Sequence, residues 1–89
     1  MVKVERMEFP REMNIEKARE IVEKLKELDV LELSNCFIHI KIVKFVSPIE
    51  LFLVFGEKYT VDDDDSGSWV SILEVYDNLE ELAWFINGL

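Results

Sequence analysis

Apolar positions recur along this chain with two different periods, and each change of period marks a new element. Over Val2–Phe9 they alternate but change phase, Val2 and Val4 first and then Met7 and Phe9. That spacing predicts a strand with a bulge or twist near Glu5–Arg6, ended by Pro10. Ile15, Ala18, Val22, Leu25 and Leu28 follow at three- and four-residue spacing, widened by Ile21, which predicts a helix over Ile15–Leu28. Asn14 can cap it, Glu16 suits its positive end, and Glu20–Lys24 is a favourable pair one turn apart. Asp29–Asn35 reads as a connection with a short extended piece at Val30–Leu33.

Strict alternation returns over Cys36–Val46. Cys36, Ile38, Ile40 and Ile42 point one way, and Phe37, His39, Lys41, Val43 and Phe45 the other. Ser47-Pro48 makes a turn into a second strand, Ile49–Phe55, with a bend at Gly56 and further extended chain at Tyr59 and Val61. Asp62–Ser68 is a hairpin tip, and Trp69–Tyr76 is the last strand. Asp77 with Glu80 matches a variant capping box opening a helix over Asn78–Asn87, with Leu79, Leu82, Ala83 and Ile86 as its stripe and Gly88 as a left-handed cap.

The element order β-α-β-β-β-α points to a single α+β domain over residues 1–89. Its expected architecture is a two-layer sandwich, a four-stranded, mostly antiparallel sheet with two helices on one face. The first strand, first helix and second strand would make a right-handed crossover. A ferredoxin-like arrangement is the runner-up, since it needs a further strand after the last helix.

Charge changes the picture more than overall composition does. Residues 1–44 balance nine acids with nine bases, whereas residues 45–89 carry ten acids against Lys58 alone, so the net charge of −9 lies in the second half. Such a field disfavours nucleic acid and anionic membrane and favours a basic protein partner or a divalent cation. The longest uncharged runs, such as Ser66–Leu73 and Leu82–Leu89, fall well short of a membrane span, and the first residues, alternating charged and apolar, do not read as a signal peptide. One cysteine excludes a disulfide framework within the chain. These features point to a soluble, cytoplasmic protein. The absence of Gln and the wealth of Glu and Lys resemble a thermophile composition.

Two helices can cover only one face of the sheet. If that face carries Ile38, Ile40, Ile42, Leu51 and Leu53, the other shows Phe37, Val43, Phe45, Phe52 and Val54, broken by His39, Lys41 and Glu50. An apolar patch of that kind marks an interaction site, and a homodimer, or another partner, packed face to face is the expected use, unless Leu33–Asn35 or the N-terminal residues fold over it. Trp84 sits off the stripe of the last helix and joins the candidate interaction residues.

Asp62-Asp63-Asp64-Asp65-Ser66-Gly67 resembles the opening of an EF-hand calcium loop, with Asp62, Asp64 and Ser66 as candidate ligands for Ca²⁺ or Mg²⁺. The likeness stops there, because the twelfth position is Leu73 where a bidentate Glu belongs. A solvated hairpin tip explains the run as well. Catalytic constellations are missing: His39 is the only histidine, and it points away from Cys36, which reads as a small core residue. A Glu50–His39 pair across a hairpin, or an enzyme site completed at a dimer interface around His39, are the chemical alternatives. The favoured expectation is a non-enzymatic interaction domain with no resident cofactor. It self-associates through a sheet face and meets a basic partner.

Overall fold

In the computed structural model, which describes Met1–Leu89, Asn14 is extended and its side-chain oxygen accepts from the Lys17 N–H at 2.8 Å, opening α1, Ile15–Glu23. The helix is shorter than its apolar stripe. From Lys24 to Lys26 the chain tightens into a 3₁₀ turn, which keeps Leu25 in the core and closes with Glu27 N–H on the Lys24 carbonyl. The second helix, α2, spans Leu79–Asn87. Its cap is Asn78, not Asp77: the Asn78 side chain accepts from Glu81 N–H at 2.8 Å, while the Asp77 carboxylate accepts from Asn78 Nδ2. Gly88 is right-handed, with φ −83°, so the helix ends without the left-handed cap. Asn78→Ala should therefore cost about 1 kcal/mol in a urea titration, and Asp77→Ala should cost less.

Five strands form one sheet in the order of the chain: β1 (Val4–Glu8), β2 (Val30–Ser34), β3 (Ile38–Phe45), β4 (Leu51–Val61) and β5 (Gly67–Tyr76). β1 and β2 are parallel and the other pairs antiparallel. The architecture is the expected α+β one, with β2 as the additional strand where a connection was expected. Only four residues of alternation, three residues after the helical turn and set off by Asp29 alone, carried its signal. Tertiary pairing decides the matter, because β2 bonds β1 on one side and β3 on the other. The crossover thus runs from β1 through α1 to β2.

β1 contains no bulge. Its register with β2 is continuous, and the apparent phase change arises because Glu5 lies on the helix side, where Lys24 Nζ meets its carboxylate at 3.1 Å. Phe9, beyond the strand, is buried.

Helices and sheet enclose one core. Ala18, Ile21, Val22 and Leu25 meet Leu82, Ala83 and Ile86 above Leu31, Leu33, Ile38, Ile40 and Ile42. Phe52 and Val54 belong to this core at 1% and 0% exposure, which corrects their placing on the open face. In the β3–β4 register Val54 stands opposite Ile42 and Phe52 opposite Lys44, so they share the face of the isoleucines. Leu51, Leu53 and Phe55 take the open face instead. Both alternating sets of β4 are apolar, so its pattern holds no polar face to choose between them.

Two lysines on the covered face bind helix ends. Lys44 Nζ donates to the Leu25 carbonyl at 2.7 Å, and Lys58 Nζ donates to the Leu89 carbonyl at 3.1 Å. Each places positive charge where unpaired carbonyls gather. The β4–β5 hairpin extends well past this core, giving the molecule dimensions of 46 × 24 × 22 Å. No helix is long and apolar enough to cross a membrane.

Candidate functional site

The strand registers arrange the open face of the sheet in rows. Val4, Val30, Val43, Leu53 and Val75 stand side by side across all five strands. The next row is Arg6, Glu32, Lys41, Phe55 and Leu73. Beyond it lie Glu8, Ser34, His39, Glu57 and Ser71, and then Tyr59 beside Trp69. Phe45 and Leu51 extend the valine row at its other side. Strand alternation alone produces this arrangement, since every second residue of each strand meets its like across the sheet.

Much of the apolar surface is exposed: Phe45 at 49%, Phe55 at 37%, Trp69 at 45%, Leu73 at 71% and Val75 at 56%. Of the residues expected here, Phe37, His39, Val43 and Phe45 are on this face. Phe55, Leu73, Val75 and Trp69 join them, and the sequence pattern had not assigned them to it. For Phe55 the signal was the phase of β4 itself, and for the other three it was the register of β5 on β4, which cannot be read before that phase is known.

Trp84 belongs elsewhere. It is exposed on α2 in the helix layer, where its indole N–H donates to Glu80 Oε1 at 3.2 Å. Glu80 also receives Arg19 in a two-pronged pair that ties α2 to α1. The arginine's hydrogen bond holds the Glu80 carboxyl below the usual carboxylate range.

The charged row is nearly self-neutralised. Arg6 Nε donates to Glu32 Oε2, and Lys41 Nζ pairs with Glu32 Oε1 at 3.0 Å while lying 6.0 Å from the centre of the Phe55 ring. Arg6 first and Lys41 second hold the Glu32 carboxyl below its ordinary range, against partial burial. Whatever this network adds to stability is therefore present at neutral pH and is lost as the pH falls through that lowered value. Beside it, Glu32, Ser34, His39, Lys41 and Phe55 line an open depression of about 330 Å³.

His39 stands opposite Ser34 on β2 and Glu57 on β4. Glu50 is not its neighbour, because it precedes Leu51, which pairs with Phe45 at the far end of β3. Ser34, His39 and Glu57 are all exposed, so the row lacks the water-excluding surroundings that strengthen acid–base and nucleophilic chemistry. The His39 ring packs on Trp69 at 5.4 Å between centres, Trp69 meets Tyr59 edge-on at 5.4 Å, and Phe37 adjoins Tyr59 at 6.2 Å. A Cβ on Gly67 would lie 1.6 Å from the Tyr59 hydroxyl oxygen, so the phenol ring occupies the space that glycine leaves.

At the hairpin tip, the Ser66 hydroxyl donates to Asp64 Oδ1 at 2.6 Å and its N–H reaches the same oxygen at 3.1 Å. These two bonds lower the Asp64 carboxyl's pKa. Asp62 N–H closes the turn on the Ser66 carbonyl, and Asp65 takes the left-handed conformation at φ 64°. Asp62, Asp64 and Ser66 are thus brought together as a turn, and the chain forms no group of three or more His, Cys, Asp or Glu side chains suited to a metal. Cys36 is exposed on the loop before β3, which corrects its expected place in the core. Comparison with known proteins gives no match: no family model fits the chain, and no curated protein or solved structure is significantly similar to it.

Proposed function

We propose that this chain is a non-enzymatic interaction domain whose open sheet face docks a second copy of itself. The observation that carries the reading is the contrast between that face and the rest of the molecule. The chain has a net charge of −9, yet Glu8, Glu32 and Glu57 are the only acids in the rows, and Glu32 is already paired with two bases. The other acids lie on the helices, the tip and the connections, and, as Glu5 and Glu74, on the covered face of the two edge strands. A basic partner would seek those acids, whereas a nearly neutral apolar platform fits another platform of the same kind.

Size supports the same occupant. Five strands about 4.8 Å apart and four rows about 6.8 Å apart give a platform of roughly 24 by 27 Å. That is of the order of the ~800 Å² per partner that a stable complex covers. Leu53 and Phe55 lie on β4, next to its middle strand.

Light scattering on a sizing column tests this. The unmodified chain is expected to run above monomer mass at micromolar concentration and to hold that mass in half-molar salt. Leu53→Asp combined with Phe55→Asp is expected to lower the mass while leaving the far-ultraviolet circular dichroism unchanged, because neither side chain is in the core. An unmodified chain that runs as a monomer, or a folded double variant of unchanged mass, would overturn the proposal.

A further inference from the structure

The two edges of the sheet are built very differently. β1 is short, carries Glu5, Arg6 and Glu8 among its five residues, and is followed by Pro10. Charge, brevity and proline are the features by which sheet edges resist pairing with other chains. β5 is neither short nor interrupted by proline, and it is nearly free of charge. It runs for ten residues, pairs with β4 without a bulge, contains no proline or lysine, and has Glu74 as its one charge. Its other edge is the end of the sheet. It also exposes large apolar side chains on both faces, Trp69, Leu73 and Val75 on the open one and Val70, at 49% exposure, on the other.

We infer that β5 is a docking edge, and that its partner is β5 of a second copy, paired antiparallel about Ser71. This register is more self-complementary than those centred on either neighbouring residue. With Ser71 opposite Ser71, Trp69 of one copy meets Leu73 of the other on the open face, and Val70 meets Ile72 on the covered face. Gly67 then lies opposite Val75, and Glu74 opposite Ser68, so the single charge never faces itself. A centre at Ile72 would set Glu74 against Val70. A centre at Val70 would carry Val75 onto Asp65 at the tip. The two-fold axis normal to the sheet keeps open face continuous with open face, giving one sheet through both copies. Each chain carries −9, so the pairing strengthens as salt screens the repulsion.

This contact uses the rim of the sheet and stands independently of the open-face reading. Cross-linking separates the two. Directly opposed residues of an antiparallel pair have Cα atoms about 4.5–5.5 Å apart, within the ~4.4–6.8 Å span of a disulfide. In a Cys36→Ser background, Ser71→Cys is expected to form a covalent dimer under mild oxidation at least tenfold faster than Ser68→Cys, and faster still in half-molar salt. Adding Val70→Lys, which touches the rim but not the open face, is expected to slow it at least tenfold. Adding Leu53→Asp is expected to leave it unchanged. Equal rates at positions 71 and 68, or no effect of Val70→Lys, would overturn the edge. Loss of cross-linking with Leu53→Asp alone would overturn it too, by showing that the face brings the two Ser71 positions together. An unchanged mass for the open-face double variant, with cross-linking at 71 intact, would overturn the open-face reading and leave the edge standing.

Discussion

Phe52→Ala should destabilise the domain by about 3–5 kcal/mol, whereas Leu53→Ala, one residue along the same strand, should cost about 1 kcal/mol or less. Phe52 is 1% exposed and sits in the layer between the isoleucines of β3 and the helices, so truncation leaves a cavity that close-packed neighbours fill only in part. Leu53 is partly exposed on the opposite face, where water already meets much of its surface. For a domain whose total stability is of the order of 5–15 kcal/mol, the first loss approaches unfolding. Urea titrations of both variants check it, read as a lower midpoint with an unchanged slope. A reversed ranking would mean that β4 faces the other way and that the open platform is wrongly composed.

Gly56→Ala is the second large effect, expected at roughly 2–5 kcal/mol from backbone strain together with overpacking. Gly56 has φ +152°, a region that residues with a Cβ rarely enter. A Cβ there would also lie 1.9 Å from the His39 carbonyl oxygen and 2.8 Å from Ile40 Cα, both backbone atoms of the paired strand. Neither can move without disturbing β3. Gly67→Ala is the informative comparison. The atom it would strike is the end of the Tyr59 side chain, which can rotate aside, so its cost should be about 1 kcal/mol from lost aromatic packing. Thermal unfolding of the two variants side by side distinguishes a backbone obstruction from a side-chain one. Similar melting temperatures would show that β3 yields at Gly56 more readily than the contact distances imply.

Both predictions concern β4, where the sequence was least informative. A strand shows its inner face when one alternating set is polar, as in β3, where His39 and Lys41 interrupt one side and three isoleucines fill the other. In β4 the sets Leu51, Leu53, Phe55 and Phe52, Val54 are equally apolar, and local pattern has no preference. Pairing with β3 resolves the choice, since Val54 falls opposite Ile42 and Gly56 opposite Ile40. The open face follows from that one decision. Once β4 is placed, β5 is carried with it, and Leu73, Val75 and Trp69 come onto the platform beside residues far away in sequence. A short segment such as β2 was hard to see for a related reason: its two buried leucines specify a strand only when strands are available on both sides.

Local sequence by itself determined the helix starting at Ile15 with its Asn14 cap, the inner face of β3, the aspartate hairpin tip and the uneven placing of charge. Each depends on periodicity or on contacts within a few residues, which the chain carries wherever it folds. Tertiary structure decided the fifth strand, the facing of β4, the burial of Phe52 and Val54, the exposure of Cys36 and the neighbour of His39. Those depend on which backbone groups pair across long stretches of chain, and hydrogen-bond register is a property of two strands together, written in neither one alone.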